Sequence, residues 1–490
     1  MKREGVILFL LIGAGAALRF FYLSHFSFWY DEVATVIQSR QLASEIIFSP
    51  LHPVYPPLYF LLLHVLPISG TGEWMMRFPS ALAGTLTIPL MFLLGRRLFD
   101  AATGMVAALL LTISPFHIYF SQEARPYAIV IVVLTAALLY FTRWLQSGQS
   151  RDVWIATGLL VIGTYVQSVA ALSIVALNVF MLFHARAFRP LWRTWLKTQG
   201  FLALCLMPYV FLSFREYLYF WASSHQLGIE KPLPLRDLMW MVGTILFNFA
   251  HGFTFSLRGF GAPIEPTDAW GRLLVKTPFI LFILPLILSG WKQLNARGVY
   301  GRCLRFLIIV PFVLTFLVSL RINWLMPNHL SVVLPPFCLL MAWGLCRLLH
   351  PWNWIAGGLV GLLSFTSLAH YYFDPASQRE PWRAVTQYVA SHSLDGDTLL
   401  FDAPHSQIPY NYYAKRPLPR MALSQNVPLT LDEETQLRKA LEHRYKRAWL
   451  VLSHNLKTGD YYPQLLNTLY MQLDIQRYPK IGLYLFRVSR

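Results

Sequence analysis

Apolar runs of membrane-crossing length, separated by short polar gaps, recur along the first three quarters of the chain. A helix crossing a bilayer needs roughly 20 mostly apolar residues. Runs that fit lie near 5–24, 79–99, 103–120, 127–145, 153–167, 168–184, 199–220, 273–290, 304–320, 329–349 and 352–372. The pattern therefore predicts about eleven spans. The hairpin at 153–184 is the least regular, because its first run is short and only Val166–Ser168 interrupt it. The first run follows Met1-Lys2-Arg3-Glu4 as a signal peptide would. No small-residue cleavage site comes after it, which predicts a retained helix.

From about Phe373 the texture changes. Apolar runs shrink to strand length at Thr398–Asp402, Ala448–Leu452 and Ile481–Val488, alternating with helical periodicity at Trp382–Ser391 and Leu431–His443. Strands spaced by helices predict a small α/β domain. The expected fold class is a polytopic α-helical membrane protein over 1–372, carrying a small extracytoplasmic α/β domain over 373–490.

Composition sharpens this reading. Of 490 residues only 13% are charged and 56% are hydrophobic, whereas soluble proteins carry about a quarter charged residues. Disorder, a secreted disulfide scaffold and a cytosolic enzyme are excluded. The net charge of +17 comes from 41 Lys and Arg against 24 Asp and Glu. The basic residues do not form a nucleic-acid footprint, which would need clusters on a polar face. They fill alternate gaps between the apolar runs. Lys2, Arg3, Arg96, Arg97, Arg143, Arg151, Arg186, Arg189, Arg193, Lys197, Lys292, Arg297, Arg302, Arg305 and Arg347 fall on one side, and fewer fall on the other. The richer side is expected to be cytoplasmic, with the amino terminus inside and, for an odd number of spans, the carboxyl terminus outside. The four cysteines, Cys205, Cys303, Cys338 and Cys346, lie in or beside spans at spacings that fit no zinc site. They are expected to be packing residues.

The chemistry concentrates at the outer ends of the spans. Two external segments, 25–78 and 221–272, are rich in aromatics instead of being short and polar. Segments of that kind lie along a membrane surface. The first holds Phe28-Trp29-Tyr30-Asp31-Glu32 and later Tyr55-Pro56-Pro57-Leu58-Tyr59. Asp31 can cap a juxtamembrane helix with Glu32 in its first turn, or act as general base on an acceptor hydroxyl; one residue can do both. The second feature is Ser121-Gln122-Glu123-Ala124-Arg125-Pro126-Tyr127. Pro126 suits the first turn of the next helix, and the free N–H groups there favour an anion beside Arg125. A ligand-free Glu123–Arg125 ion pair is the plainer reading. Arg19, Glu73, Arg77, Arg321 and His329 add polar groups at similar depth. Facing lipid would cost such groups on the order of 3 kcal/mol, so they are expected to face a cavity or to snorkel. His52, His64 and His251 have no metal-ligand spacing.

Together these residues resemble a known family. Arg19, Trp29 through Glu32, Pro56-Pro57-Leu58-Tyr59, Gly72-Glu73, Arg77-Phe78-Pro79-Ser80 and Ser121 through Tyr127 occur in the order found in glycosyltransferase family 39. The chain is similar to bacterial members of this dolichyl-phosphate-mannose protein mannosyltransferase family, which include aminoarabinose transferases acting on lipid A and share the GT-C fold. Asn328-His329, Pro335-Pro336 and Pro381-Trp382-Arg383 resemble its weaker carboxyl-terminal pattern.

The resemblance implies an inverting transferase in the bacterial inner membrane. It would move a sugar from a polyprenyl-phosphate donor to an envelope lipid, glycan or protein on the outer face. By position, Asp31 would be the catalytic base and Glu32 would assist it. Arg125, Tyr127 and Arg19 would contact the donor phosphate, and Tyr55, Glu73, Arg77, Glu123, Arg321 and His329 would support the site. With no Asp-x-Asp pair in the second external segment, no metal or other cofactor is expected. A competing reading is an O-antigen ligase or polymerase, but the motifs cluster in the first 130 residues. Another is a transporter, which should instead show broken helices and ionisable residues at mid-membrane.

Overall fold

A computed structural model describes residues 2–48, 55–66, 72–227, 234–252, 281, 283–322, 324–453 and 459–488. His52, residues 273–280 and 282 of the expected run at 273–290, and residues 228–233 and 253–272 of the second external segment lie outside these. The described residues form two compact units. One takes those of Met1–Leu23 and of 38–368, and the other takes those of Ser24–Ile37 and Ala369–Arg490.

The first unit is helical. Among its described residues, Glu73–Leu98, Tyr127–Ser147, Arg189–Phe214 and Leu284–Ser319 are long and apolar enough to cross a membrane, and a bent pair would make a fifth. Other expected runs are helices too, among them Lys2–Phe20, Ser150–Val166, Ala170–Phe183, Leu334–Arg347 and Trp352–Phe373, but they are shorter or carry more polar residues. The run expected as one span at 103–120 is broken: Ala101–Thr112 and Pro115–Ser121 meet at 58°. The sequence at the break explains it. Pro115 has no N–H to continue the ladder, and the Ser114 side chain accepts from His117 N–H at 3.3 Å as the cap of a new helix.

Small residues let the helices of this unit approach closely. Where Glu73–Leu98 passes Ala101–Thr112, a Cβ on Gly95 would stand 2.7 Å from Gly104 Cα, so neither position has room for a side chain. The turn between these helices is held by Asp100. Its Oδ1 accepts from Thr103 N–H and Oγ1–H at 2.8 Å each, and its Oδ2 meets Arg297 and Arg347 at 3.4 and 3.5 Å. Both guanidinium groups lie over Trp343, 4.4 and 4.1 Å from the ring centroid.

The second unit is built on a five-stranded sheet of order β2-β1-β3-β5-β4, with β1 Asp397–Phe401, β2 Arg420–Ala422, β3 Arg447–Ser453, β4 Met471–Tyr478 and β5 Ile481–Arg487. β1 pairs in parallel with β2 and β3, while β5 pairs antiparallel with β3 and β4. Alternate side chains divide between two cores, as a pleated strand requires. Leu399, Phe401, Trp449 and Val451 pack with Trp382, Val385 and Val389 of helix Trp382–His392. Leu400, Leu450 and Leu452 pack with Leu437 and Leu441 of Leu431–Glu442 and with Tyr462 and Leu466 of Tyr461–Leu469. Two strands escaped the hydrophobic pattern. β2 has three residues, and β4 (Met-Gln-Leu-Asp-Ile-Gln-Arg-Tyr) is an edge strand whose side chains are nowhere fully buried. Ser24–Ile37, which carries the Phe-Trp-Tyr-Asp-Glu sequence, belongs to this unit.

Candidate functional site

Three groups of polar side chains stand out, two in the first unit and one in the second. The first surrounds Arg125, which immediately precedes helix Tyr127–Ser147, with Pro126 as that helix's cap residue. Arg125 is buried, and Ser80 Oγ–H holds its carbonyl at 3.0 Å. Its guanidinium lies 5.1 Å from the Tyr55 ring centroid and 5.8 Å from that of Tyr127, and Nη2 donates to Tyr55 Oη at 3.4 Å. Tyr127 Oη accepts from Asn328 Nδ2 at 2.8 Å. Arg125, Tyr55 and Tyr127 thus come together. Asn328 joins them across 201 residues, which no local pattern could reveal. Two aromatic faces and a helix amino terminus around one guanidinium suit a phosphate. The rings fix the fork, and the helix end adds positive potential.

The second group surrounds the break after Thr112, and it gives Arg19 a definite task. Arg19 is fully buried, and it donates to Leu111 O at 2.9 Å, Thr112 O at 3.3 Å and Gly15 O at 3.0 Å. The first two are carbonyls that the ending helix Ala101–Thr112 leaves without intrahelical donors. Arg19 Nη2 also lies 2.8 Å from His117 Nδ1. A guanidinium only donates, so Nδ1 accepts and the imidazole is neutral, with its proton on Nε2. Gln122 returns the favour: its Nε2 donates to Leu18 O, Arg19 O and Phe21 O at 3.2, 3.1 and 2.6 Å, closing the end of helix Lys2–Phe20. Arg19 thus caps the end of helix Ala101–Thr112, and Gln122, at the end of helix Pro115–Ser121, caps helix Lys2–Phe20. Gly84 makes room for this lock, since a Cβ there would collide with the Ser121 side chain and stand 3.0 Å from Arg19 Nε. Arg77, also buried, donates to Leu23 O at 2.9 Å.

The third group lies in the second unit. Helix Tyr30–Ser39 begins two residues earlier than a cap at Asp31 would require. Val33 N–H donates to Trp29 O at 3.0 Å, so Asp31 sits inside the first turn with Glu32. The capping reading of Asp31 is thereby corrected. Both carboxylates still favour the helix amino end. They differ in environment. Asp31 is partly exposed, whereas Glu32 is fully buried and accepts from Arg379 Nη1 at 3.0 Å. The segment upstream is anchored as well. Phe28 N–H donates to Tyr413 Oη at 2.7 Å, Arg383 N–H to Ser27 Oγ at 3.2 Å, and Arg383 Nη2 to Ser24 O at 3.3 Å. Arg379 stands four positions before Arg383, just outside the Pro-Trp-Arg motif, and the sequence offered no reason to single it out.

Two further acids are buried in this unit. Glu380 is pushed up by burial, against the opposing pull of the Trp382 Nε1–H bond at 2.7 Å and of Lys480. Asp402, at the end of β1, is pushed up to about 7 by burial, although Ser453 N–H donates to its Oδ1 at 3.0 Å.

Of the remaining candidates, His329 lies near enough to Arg125 to feel its charge. Glu73 opens helix Glu73–Leu98 and is buried, as is Glu123. Arg321 is exposed, and His329 Nδ1 lies 2.8 Å from Trp324 O. The four cysteines are free thiols. Among the described residues no group of three or more His, Cys, Asp or Glu could hold a metal ion.

Residues 52–212 match the family model described as dolichyl-phosphate-mannose-protein mannosyltransferase. The structure is similar to that of ArnT from Cupriavidus metallidurans in the apo state, at a TM-score of 0.59 and 15% identity over 99% of this chain and 98% of that one. The chain has the GT-C fold. The same ArnT bound to undecaprenyl phosphate matches at a TM-score of 0.55 and 16% identity, covering 97% of both chains. The archaeal oligosaccharyltransferase AglB from Archaeoglobus fulgidus, in complex with an inhibitory peptide and a dolichol-phosphate, matches at a TM-score of 0.55 and 14% identity. That match covers 98% of this GT-C chain and 74% of AglB. Among curated protein sequences none matches. At these identities the neighbours establish the fold, and the chemistry of this GT-C protein rests on its own residues.

Proposed function

We propose that this protein is an inverting glycosyltransferase of the bacterial inner membrane, using a polyprenyl-phosphate-linked hexose or pentose as donor on the extracytoplasmic face. The acceptor is a hydroxyl of an envelope lipid, glycan or protein. The observation that carries this reading is the Arg125 group: a buried guanidinium framed by Tyr55 and Tyr127 at the amino end of a helix. The lipid phosphates in the ArnT and AglB structures named above are consistent with it. About eleven spans, an inside amino terminus and an outside domain from residue 373 complete the proposed topology.

In the proposed reaction the acceptor oxygen attacks the anomeric carbon from the face opposite the phosphate. Its proton passes to the Asp31 carboxylate as the new C–O bond forms. The bond from the anomeric carbon to the phosphate oxygen breaks, and polyprenyl phosphate departs as an anion stabilised by Arg125. A phosphate leaves without protonation, so one base and one cation suffice, and the paired carboxylates of glycosidases are unnecessary. Glu32, held by Arg379, supports the turn that bears Asp31. No metal or other cofactor enters the scheme.

The test is transfer by the purified protein in lipid nanodiscs, supplied with synthetic polyprenyl-phosphate hexoses and pentoses and an envelope extract. Appearance of a sugar-modified envelope component by mass spectrometry, together with polyprenyl phosphate, is expected. Release of a polyprenyl diphosphate from oligosaccharide-linked lipid would instead identify the ligase reading.

A further inference from the structure

Residues distant in sequence secure the segment bearing Asp31. A ten-residue helix such as Tyr30–Ser39 is marginal by itself, so the position of its first turn depends on what grips it. Upstream, Tyr413 and Arg383 hold Phe28, Ser27 and Ser24 through hydrogen bonds. Phe28 also packs edge-on to Tyr412, at 5.7 Å between ring centroids, and Tyr30 to His405, at 5.4 Å. Within the turn itself the grip is the buried Arg379–Glu32 pair. A guanidinium and a carboxylate out of water hold their geometry tightly, because separating them would leave a charge uncompensated.

We propose that Arg379 is a positioning residue for the transfer reaction: through Glu32 it fixes the first turn of helix Tyr30–Ser39, and so the Asp31 carboxylate. This rests on the reading of Asp31 as the base. Arg379 touches neither donor nor acceptor in this scheme. Its contribution is to place a base whose displacement by about 1 Å would cost on the order of 10²-fold in rate.

The experiment uses the full chain in nanodiscs, with the synthetic polyprenyl-phosphate sugar that supports turnover and undecaprenyl phosphate as the binding probe. Arg379→Met should lower kcat by on the order of 10²-fold while leaving the donor KM and the affinity for undecaprenyl phosphate unchanged. Arg379→Lys, which keeps the charge, should recover part of the loss. The double variant Arg379→Met with Glu32→Gln should be no slower than Arg379→Met alone, because the two side chains act as one unit. It also removes the uncompensated carboxylate, which keeps the test open if Arg379→Met folds poorly. Wild-type kcat in Arg379→Met, a parallel loss of undecaprenyl phosphate affinity, or additive losses in the double variant would each overturn the proposal. Asp31→Asn serves as the control. An inactive Asp31→Asn beside a fully active Arg379→Met refutes the positioning role alone, whereas an active Asp31→Asn refutes the base assignment beneath it.

Discussion

Arg19 was expected from the sequence to contact the donor phosphate, yet its donors reach the carbonyls at a helix break, and Arg19→Met separates the two roles. Methionine keeps much of the volume and removes every donor. Leu111 O and Thr112 O, reached at 2.9 and 3.3 Å, would then lose the side chain that satisfies them. Leu111 O retains a bond from Ser114 N–H at 3.3 Å, and Gly15 O lies within an intact helix, so Thr112 O is the carbonyl most affected. An unsatisfied buried acceptor costs about 1–3 kcal/mol, and water cannot reach these as it would a loop. For Thr112 O that is about 1–3 kcal/mol, offset in part by no longer burying a cation. A loss of this size should lower the melting temperature in detergent clearly. Arg19→Lys should fall between, since one ammonium cannot reproduce a planar fork. Affinity for undecaprenyl phosphate, measured below the melting transition, should stay at the wild-type value in both. A wild-type melting curve with weakened lipid-phosphate binding would refute the capping argument and make Arg19 a ligand residue.

Asp31→Asn should leave the melting temperature unchanged, because Asp31 is not the cap of its helix, and should reduce turnover by about 10²–10⁴-fold; wild-type turnover would exclude Asp31 as the base. Arg125→Ala should weaken undecaprenyl phosphate binding by about 10- to 150-fold, the equivalent of one charge-assisted hydrogen bond at about 1.5–3 kcal/mol, with Arg125→Lys recovering only part; equal affinities would remove Arg125 from the phosphate site. Asp402 is held up to about 7 from an ordinary 3.8, so the folded state binds its proton more tightly than the unfolded chain does. That contribution to stability is present at low pH and is lost as pH rises from about 4 to about 7, at up to roughly 1.4 kcal/mol per pH unit. Melting curves across that range should therefore decline less steeply for Asp402→Asn than for the wild type, and identical slopes would contradict the burial of this carboxyl.

Much of the site was legible because its residues lie in short runs. Asp31 and Glu32 are neighbours, and Arg125 and Tyr127 flank a proline that starts a helix. What was not legible was their division of labour. Two adjacent carboxylates look alike in sequence. Only the return of the chain some 350 residues later brings Arg379 to one of them and leaves the other partly exposed. Likewise Arg19 reads as a costly cation near a span end, and its solution, the carbonyls of residues 111 and 112, lies more than 90 residues away.

Hydrophobic periodicity by itself placed such helices as Lys2–Phe20, Tyr127–Ser147 and Ala170–Phe183 and the three apolar strands, because burial of one face acts residue by residue along the chain. Charge asymmetry and residue order pointed to a membrane enzyme of the family 39 kind. Tertiary structure decided the rest. It broke the run at 103–120 where Pro115 removed a donor and Arg19 stood ready to take the carbonyls, and it added the polar edge strand β4 through pairing with β5. It also gathered Ser24–Ile37 into one unit with Ala369–Arg490. Apart from the Ser114-Pro115 sequence at the break, local pattern carries no information about these outcomes, since each depends on which distant donor, acceptor or strand edge the fold delivers to a group left unsatisfied by its own neighbours.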